Sequence, residues 1–345
     1  MTESIAVYES VCRRSQRCFA GPVQINGEPV YSPAVLCGVI DAQTLRDGDA
    51  LLAYVEYLTA LAQRTPETIL IQGDEETRKG FRYTQEIESF LETALEQDRF
   101  EEYYQPGYSL RKGGYVTLAA LSRLRHPTLG PVAPEVFIGI AEKSDQIARL
   151  GLLQMRRVCR FLKEHRELME QIQNVKINLS PTELMKSGHA GRLIGIIREF
   201  GLKPSYFQFE ITETVATEYS ESLSQAAAEF VEAGIGLCLD DFGAGYANLN
   251  TVLKLTFSEI KLDKSLLVGI CEDDRIASFY QSIVAALQNM GYAVIAEGVE
   301  TPKELGLVSR WGVDLIQGYY FSRPLPGEAL LSAVLDREGA APAMR

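Results

Sequence analysis

Six polar positions recur near the ends of apolar runs: Asn178, Glu210, Asp240 with Asp241, Lys261, Glu297 and Gln317. They are separated by 32, 30, 21, 36 and 20 residues, the pace of strand–helix repeats. Carboxylate and amide oxygens are hard donors suited to Mg²⁺, Mn²⁺ or Ca²⁺. No His or Cys stands among them, so zinc fits poorly. Two such ions, held by Asp240 and Asp241, could clamp a phosphate and activate a water for in-line attack. Singly, each residue also has a plainer role. Asp240-Asp241 before "FGAGY" could make an Asx turn or cap a helix. Glu210 and Glu213 in "FEITET" could lend charge to a helix start. Asn178 could be a turn residue, Lys261 a solvated strand end, Glu297 a loop carboxylate and Gln317 part of a hairpin. Their recurrence on consecutive strand ends favours one shared site.

The elements that must bring them together are legible from about residue 100 onward. Eight strand candidates alternate with helical stretches: "EYYQPGYSL", "YVTLAALSRL", "NVKINLS", "YFQFEIT", "IGLCLDD", "SEIKLD", "YAVIAEG" and "VDLIQGYYF". That rhythm predicts a largely parallel α/β sheet, and its length matches a (β/α)₈ barrel with its site at the C-terminal strand ends. A doubly wound open sheet is the competing architecture, but no GxGxxG stands in the right context. Ahead of residue 80 two or three short strands and up to two helices are expected, thin for an independent domain. "FRYTQEIESFLETALEQD" follows helical spacing and predicts a linking helix.

The chain has 345 residues, 46% of them hydrophobic, enough for one large core or one large and one small domain. With 34 basic against 46 acidic residues its formal charge is −12, which argues against nonspecific nucleic-acid binding and against an anionic membrane patch. The six cysteines form no CxxC pair, pointing to a reduced, cytoplasmic setting. No apolar run reaches a membrane span, so any membrane link is expected only through an upstream region. His126 reads as a loop or capping residue, His165 as part of a charged helix and His189 as a Gly-flanked loop residue, all structural or solvated.

The segments "YYQP", "INLSP", "FEITET", "LDDFGAGYANL", "IKLDKS", "AEGVET" and "QGYYFSRPLP" closely resemble the motifs of the EAL family, the cyclic di-GMP phosphodiesterases. The resemblance runs from about residue 84 to 335. It implies a TIM-like barrel with an antiparallel first strand and a two-metal site that opens cyclic di-GMP to linear pGpG. It further implies that Asn178, Glu210 and Asp240 hold one Mg²⁺ (or Mn²⁺) and that Asp241 serves the second. Lys261 would steady the attacking water, Glu297 would be a metal ligand or general base, and Gln317 would position the water or its metal. Glu213 would support the loop beginning at Asp240, Arg123 would grip a phosphate, and Gln105 and Leu121 would lie beside the ligand. A homodimer is implied by the resemblance alone.

One departure bears on activity. The family's EAL-x-R-x-x-HP motif aligns with "AALSRLRHP" here, so Ala119 replaces a metal-binding glutamate. Glu210, Asp240 and Asp241 leave three negative charges where the intact site has four. Glu101 and Glu102, near the start of the first strand, are expected at the opposite end from the site, so neither is expected to take over. Milder departures are Gly107-Tyr108-Ser109 after "QP", and Ala247-Asn248 in place of a Ser pair.

The front 95 residues resemble, more loosely, the C-terminal half of a GGDEF (diguanylate cyclase) domain without its nucleotide-binding half. The expected organisation is therefore 1–80 partial GGDEF-like region, 81–99 linking helix, 100–335 EAL barrel and 336–345 flexible tail. Three functions are open: a cyclic di-GMP receptor with lost or strongly reduced hydrolysis, an active phosphodiesterase, or a scaffold for a protein partner that binds no nucleotide.

Overall fold

The computed structural model describes residues 23–25, 28–30, 48–63, 73–213, 221–244 and 255–335, with isolated helical positions 7, 10, 11 and 14. Residues 67–72 of "ETILIQGDEE", Ala247, Asn248 and the expected tail 336–345 lie outside the described residues. The chain divides into two compact units, Met1–Phe90 and Leu91–Arg345.

In the first unit, β1 (Val23–Ile25) and β2 (Glu28–Val30) form an antiparallel pair, followed by α1 (Gly48–Gln63). Tyr54, Leu58 and Ala62, at helical spacing, cluster with Phe81. Phe81 lies on α2 (Glu75–Glu96), whose later turns belong to the second unit. That helix starts six residues before "FRYTQEIESF" because Asp74 accepts the Thr77 N–H at 2.8 Å, and Glu75 and Glu76 follow in the first turn, where the dipole favours them.

The second unit is the predicted barrel. Its wall consists of β3 (Phe100–Ser109), β4 (Gly114–His126), β6 (Asn174–Asn178), β7 (Phe207–Thr212), β8 (Gly236–Phe242), β9 (Glu259–Leu262), β10 (Ala293–Glu297) and β11 (Leu315–Gln317). Two short strands, β5 (Gly130–Val132) and β12 (Leu325–Pro326), pair with β4 and β3. The wall closes because β3 pairs with both β4 and β11. Both pairings are antiparallel, while the strands from β4 to β11 run parallel to one another. The first strand is therefore antiparallel, as the resemblance implied.

Side chains alternate along each strand. Val175 and Ile177 of β6, Phe207, Phe209 and Ile211 of β7, and Leu237 and Leu239 of β8 join the main core. That core also takes Met155, Val158, Cys159 and Leu162 from the helix Ile147–Glu164 and Leu193, Ile194 and Ile197 from the helix His189–Glu199. The alternate positions, Lys176, Gln208, Glu210, Cys238, Asp240 and Lys261, turn to the barrel interior and are buried there. Most of these are polar, and a small apolar cluster of Val116, Cys238, Ile295 and Leu315 lies apart from the main core, so the hydrophobic effect acts chiefly through the outer layer.

Candidate metal centre at the barrel mouth

The parallel register stacks the strand ends. Asn178 lies opposite Glu210, Thr212 opposite Asp240, and Glu297 opposite Gln317. At their centre is Lys261, only 3% exposed. Its ammonium lies 3.1 Å from Glu210, 2.9 Å from Asp240 and 2.6 Å from Glu297. One cation thus serves three carboxylates. Asp241 completes the group: Asp240, Asp241 and Glu297 each offer an oxygen within 4.8 Å of the others.

The electrostatics show a pocket short of positive charge. Burial pushes the Glu297 carboxyl up to about 7 against the pull of Lys261. Asp241 is raised to about 6 by burial and then by Asp240. Glu210 is also raised, chiefly by burial, with Lys261 and Lys176 pulling down and Asp240 pushing up. Both Glu210 oxygens are buried without a hydrogen bond; the 3.1 Å approach of Lys261 is a charge contact off the hydrogen-bonding direction. An unbonded buried carboxylate costs several kcal/mol unless a cation meets it. The all-oxygen donor set fits a hard divalent ion.

The loop leaving β8 is held in an uncommon shape. Asp241 adopts φ 56°, left-handed for a non-glycine residue. Its N–H donates to Asp240 Oδ1 at 2.9 Å, and the Gly243 N–H donates to Glu213 Oε2 at 3.0 Å. Glu213 thus ties the end of β7 to the segment carrying both aspartates.

The other expected residues line the same mouth. Gln317 donates to Gln105 Oε1 at 3.1 Å, and Gln105 donates in turn to the Ser322 carbonyl at 3.1 Å. Leu121, Arg123 and Asn178 border a cavity of about 480 Å³ whose lining also includes Phe137, Gln154 and Glu183. Arg123 lies over the Tyr103 ring at 5.3 Å and donates to the Ser122 carbonyl. Asn178 is exposed at the end of β6. Ala119, 2% exposed, faces the interior between its partners Gln105 and Lys176.

Several features were not foreseen. Because β3 runs antiparallel, its start lies at the mouth: Glu101 pairs with Arg123 and Glu102 with Ser122. Glu101 and Glu102 are thus at the same end as the site, not the opposite one. Neither stands in for a glutamate at position 119. Glu101 is exposed and four residues from Gln105, about 13 Å along the strand. Glu102 turns outward to Ser122, Gln154 and Arg157. His189 is helical and 1% exposed, not a solvated loop residue; its Nε2 lies 2.6 Å from Glu183. Glu183 itself borders the cavity on the helix Pro181–Leu184, packed against Gly151. Lys176, a buried cation in the middle of a strand, was not among the expected site residues; an ionisable residue at an inward position of "NVKIN" was its available signal.

A closed barrel with an antiparallel first strand, bearing clustered carboxylates and a buried lysine at its mouth, defines a TIM-like α/β architecture with a candidate metal centre. The EAL domain family matches residues 89–324, and the chain belongs to that family. It is 34% identical over 251 residues to the cyclic di-GMP phosphodiesterase NbdA of Pseudomonas aeruginosa, covering 72% of this chain and 32% of that protein. It is 32% identical over 244 residues to the cyclic di-GMP phosphodiesterase RocR of the same organism, covering 69% of this chain and 60% of that protein. The chain thus spans between about a third and three fifths of these relatives. Among solved structures, the PaMucR phosphodiesterase in complex with c-di-GMP is 28% identical with a TM-score of 0.67, covering 71% of this chain and all of that one. The FimX EAL domain of Pseudomonas aeruginosa bound to c-di-GMP, 24% identical with a TM-score of 0.64 over 69% of this chain and 96% of that one, is similar in fold.

Proposed function

We propose that this EAL domain binds cyclic di-GMP as a signalling receptor and that its hydrolysis is lost or strongly reduced. The observation that carries the second half is Ala119. It occupies a buried interior position beside Gln105 and Lys176, where the EAL motif has a carboxylate, and neither Glu101 nor Glu102 takes its place. The first half is supported by what remains: Arg123 at the rim, a cavity lined largely by apolar side chains next to it, and the acidic cluster. A phosphate would pair with Arg123, and a base would enter the cavity over Leu121. Gln105 and Glu213 would hold the surrounding loops, as their hydrogen bonds do.

Asn178, Glu210, Asp240 and Asp241 would hold Mg²⁺ or Mn²⁺, with Glu297 either a further ligand or the general base. Such ions supply charge stabilisation at the phosphate and a more acidic water. Lys261 and Gln317 would orient that water, and Glu297, where it does not ligate the ion, would take up its proton. With Ala119 in place, one unit of charge is missing from this arrangement. A second reading, a working phosphodiesterase, draws on the otherwise intact set of Glu210, Asp240, Asp241, Lys261 and Glu297. The front unit is read as a remnant of a GGDEF-like domain serving as an adaptor, with 81–99 as its link to the barrel at 100–335. The test is calorimetric binding of cyclic di-GMP in Mg²⁺, run beside chromatography for pGpG. Binding with no pGpG over hours is the expected result. Prompt pGpG supports the second reading, and absence of binding refutes both.

A further inference from the structure

Beneath the acidic mouth lies a second charged layer that the proposed function does not use. Lys176, on β6, is 1% exposed. Its ammonium contacts the Glu259 carboxylate on β9 and lies 3.9 Å from Cys238 Sγ on β8. β6 and β9 are separated in the wall by β7 and β8, so the lysine stem crosses the barrel interior. Three placements follow from the register. Glu259 lies two residues before Lys261, on the same face of one strand. Cys238 is the strand partner of both Glu210 and Glu259. Lys176 is the strand partner of Ala119. The Lys176 backbone thus stands beside the one position where the EAL motif has a carboxylate, while its ammonium reaches inward to Glu259 and its charge is felt at Glu210.

We propose that Lys176 is a resident counter-cation of the metal centre: from the layer below it offsets the charge of Glu210, weakens the pull of the pocket on a divalent ion, and would capture a carboxylate placed at position 119. This inference rests on reading the acidic cluster as a divalent-cation site. Neighbouring strands lie about 4.8 Å apart, and inward side chains at paired positions touch. A glutamate at 119 would therefore lie within reach of the Lys176 side chain and compete with Glu259 for its ammonium. Lys176 acts through Glu210 and position 119, so it is a positioning residue, not a catalytic one.

The test is a cycle of Mn²⁺ affinities measured by calorimetry. Ala119→Glu and Ala119→Gln are compared in the native background and in Lys176→Met/Glu259→Gln, which removes the buried pair without changing net charge. The gain of Glu over Gln should be about tenfold larger once the lysine is gone, the effect of a unit charge at several ångströms in a partly screened interior. Equal gains in both backgrounds overturn the proposal. A purely structural role for the Lys176–Glu259 pair would alter melting without changing this ratio. If the paired variant does not fold, metal-free melting of the single variants decides. Ala119→Glu melting at or above Ala119→Gln supports capture by Lys176, and melting well below it refutes capture. Absence of Mn²⁺ binding in every variant sinks the cation-site reading instead, and the melting comparison still decides the Lys176 contact.

Discussion

Restoring a carboxylate at position 119 is the most direct probe of this barrel. Ala119 faces the interior at 2% exposure, between Gln105 and Lys176. A water can fill an empty coordination position there without restoring charge. A unit charge about 4 Å from an ion contributes about 4 kcal/mol at an effective dielectric near 20, before the cost of desolvating the new carboxylate. A net gain of about 3 kcal/mol corresponds to about 150-fold in rate. Lys176 draws off part of that, about one factor of ten. Ala119→Glu alone is therefore expected to raise turnover about 15-fold, and about 150-fold with the lysine pair neutralised. The assay is pGpG formation from cyclic di-GMP in Mg²⁺ and in Mn²⁺, with native protein alongside. If the native protein turns over within a factor of about two of Ala119→Glu, the charge argument is wrong and the metal shell is complete without residue 119.

Three further outcomes are expected. Arg123→Ala should weaken cyclic di-GMP binding by about 10- to 100-fold, the loss of one charge-assisted phosphate contact, while Mn²⁺ affinity stays unchanged by calorimetry. Lys261→Met leaves Glu210, Asp240 and Glu297 without their shared cation; it should destabilise the metal-free protein by about 3–5 kcal/mol, with Mn²⁺ recovering part of the loss in thermal melts. Glu102 offers a test by pH. Burial raises its carboxyl to about 7, against the pull of Arg157, so the folded protein holds a proton there that the unfolded chain releases near 4.5. Its contribution is fully present below that lower value and is lost as the pH rises through about 7, a change of up to about 3 kcal/mol. Glu102→Gln should flatten the decline in urea midpoints between about pH 5 and 8, and an unchanged slope would refute the assignment.

Much of the site is legible in the amino-acid sequence, for a physical reason. A strand carries its inward residues at every second position, and a βα repeat returns each strand end to the same rim. A carboxylate, amide or lysine at each of Asn178, Glu210, Asp240, Lys261, Glu297 and Gln317 therefore implies convergence, and the barrel supplies it. The proposed gap at Ala119 comes from the same kind of reading, because one motif residue can be checked against its neighbours in a linear string. What the linear string cannot decide is who meets whom across the barrel. One lysine shared by three carboxylates, Lys176 reaching from β6 to Glu259 on β9, and His189 buried against Glu183 are pairings between distant segments that only closure of the wall creates. The direction of β3 belongs to the same class. Periodicity is identical for a strand run either way, so it leaves the end at which Glu101 and Glu102 stand undecided; hydrogen-bond register sets them beside Arg123 and Ser122. Residue types and their spacing determined which groups enter the barrel, and tertiary structure alone decided their partners, because charge and hydrogen bonding act through distance in space, not along the chain.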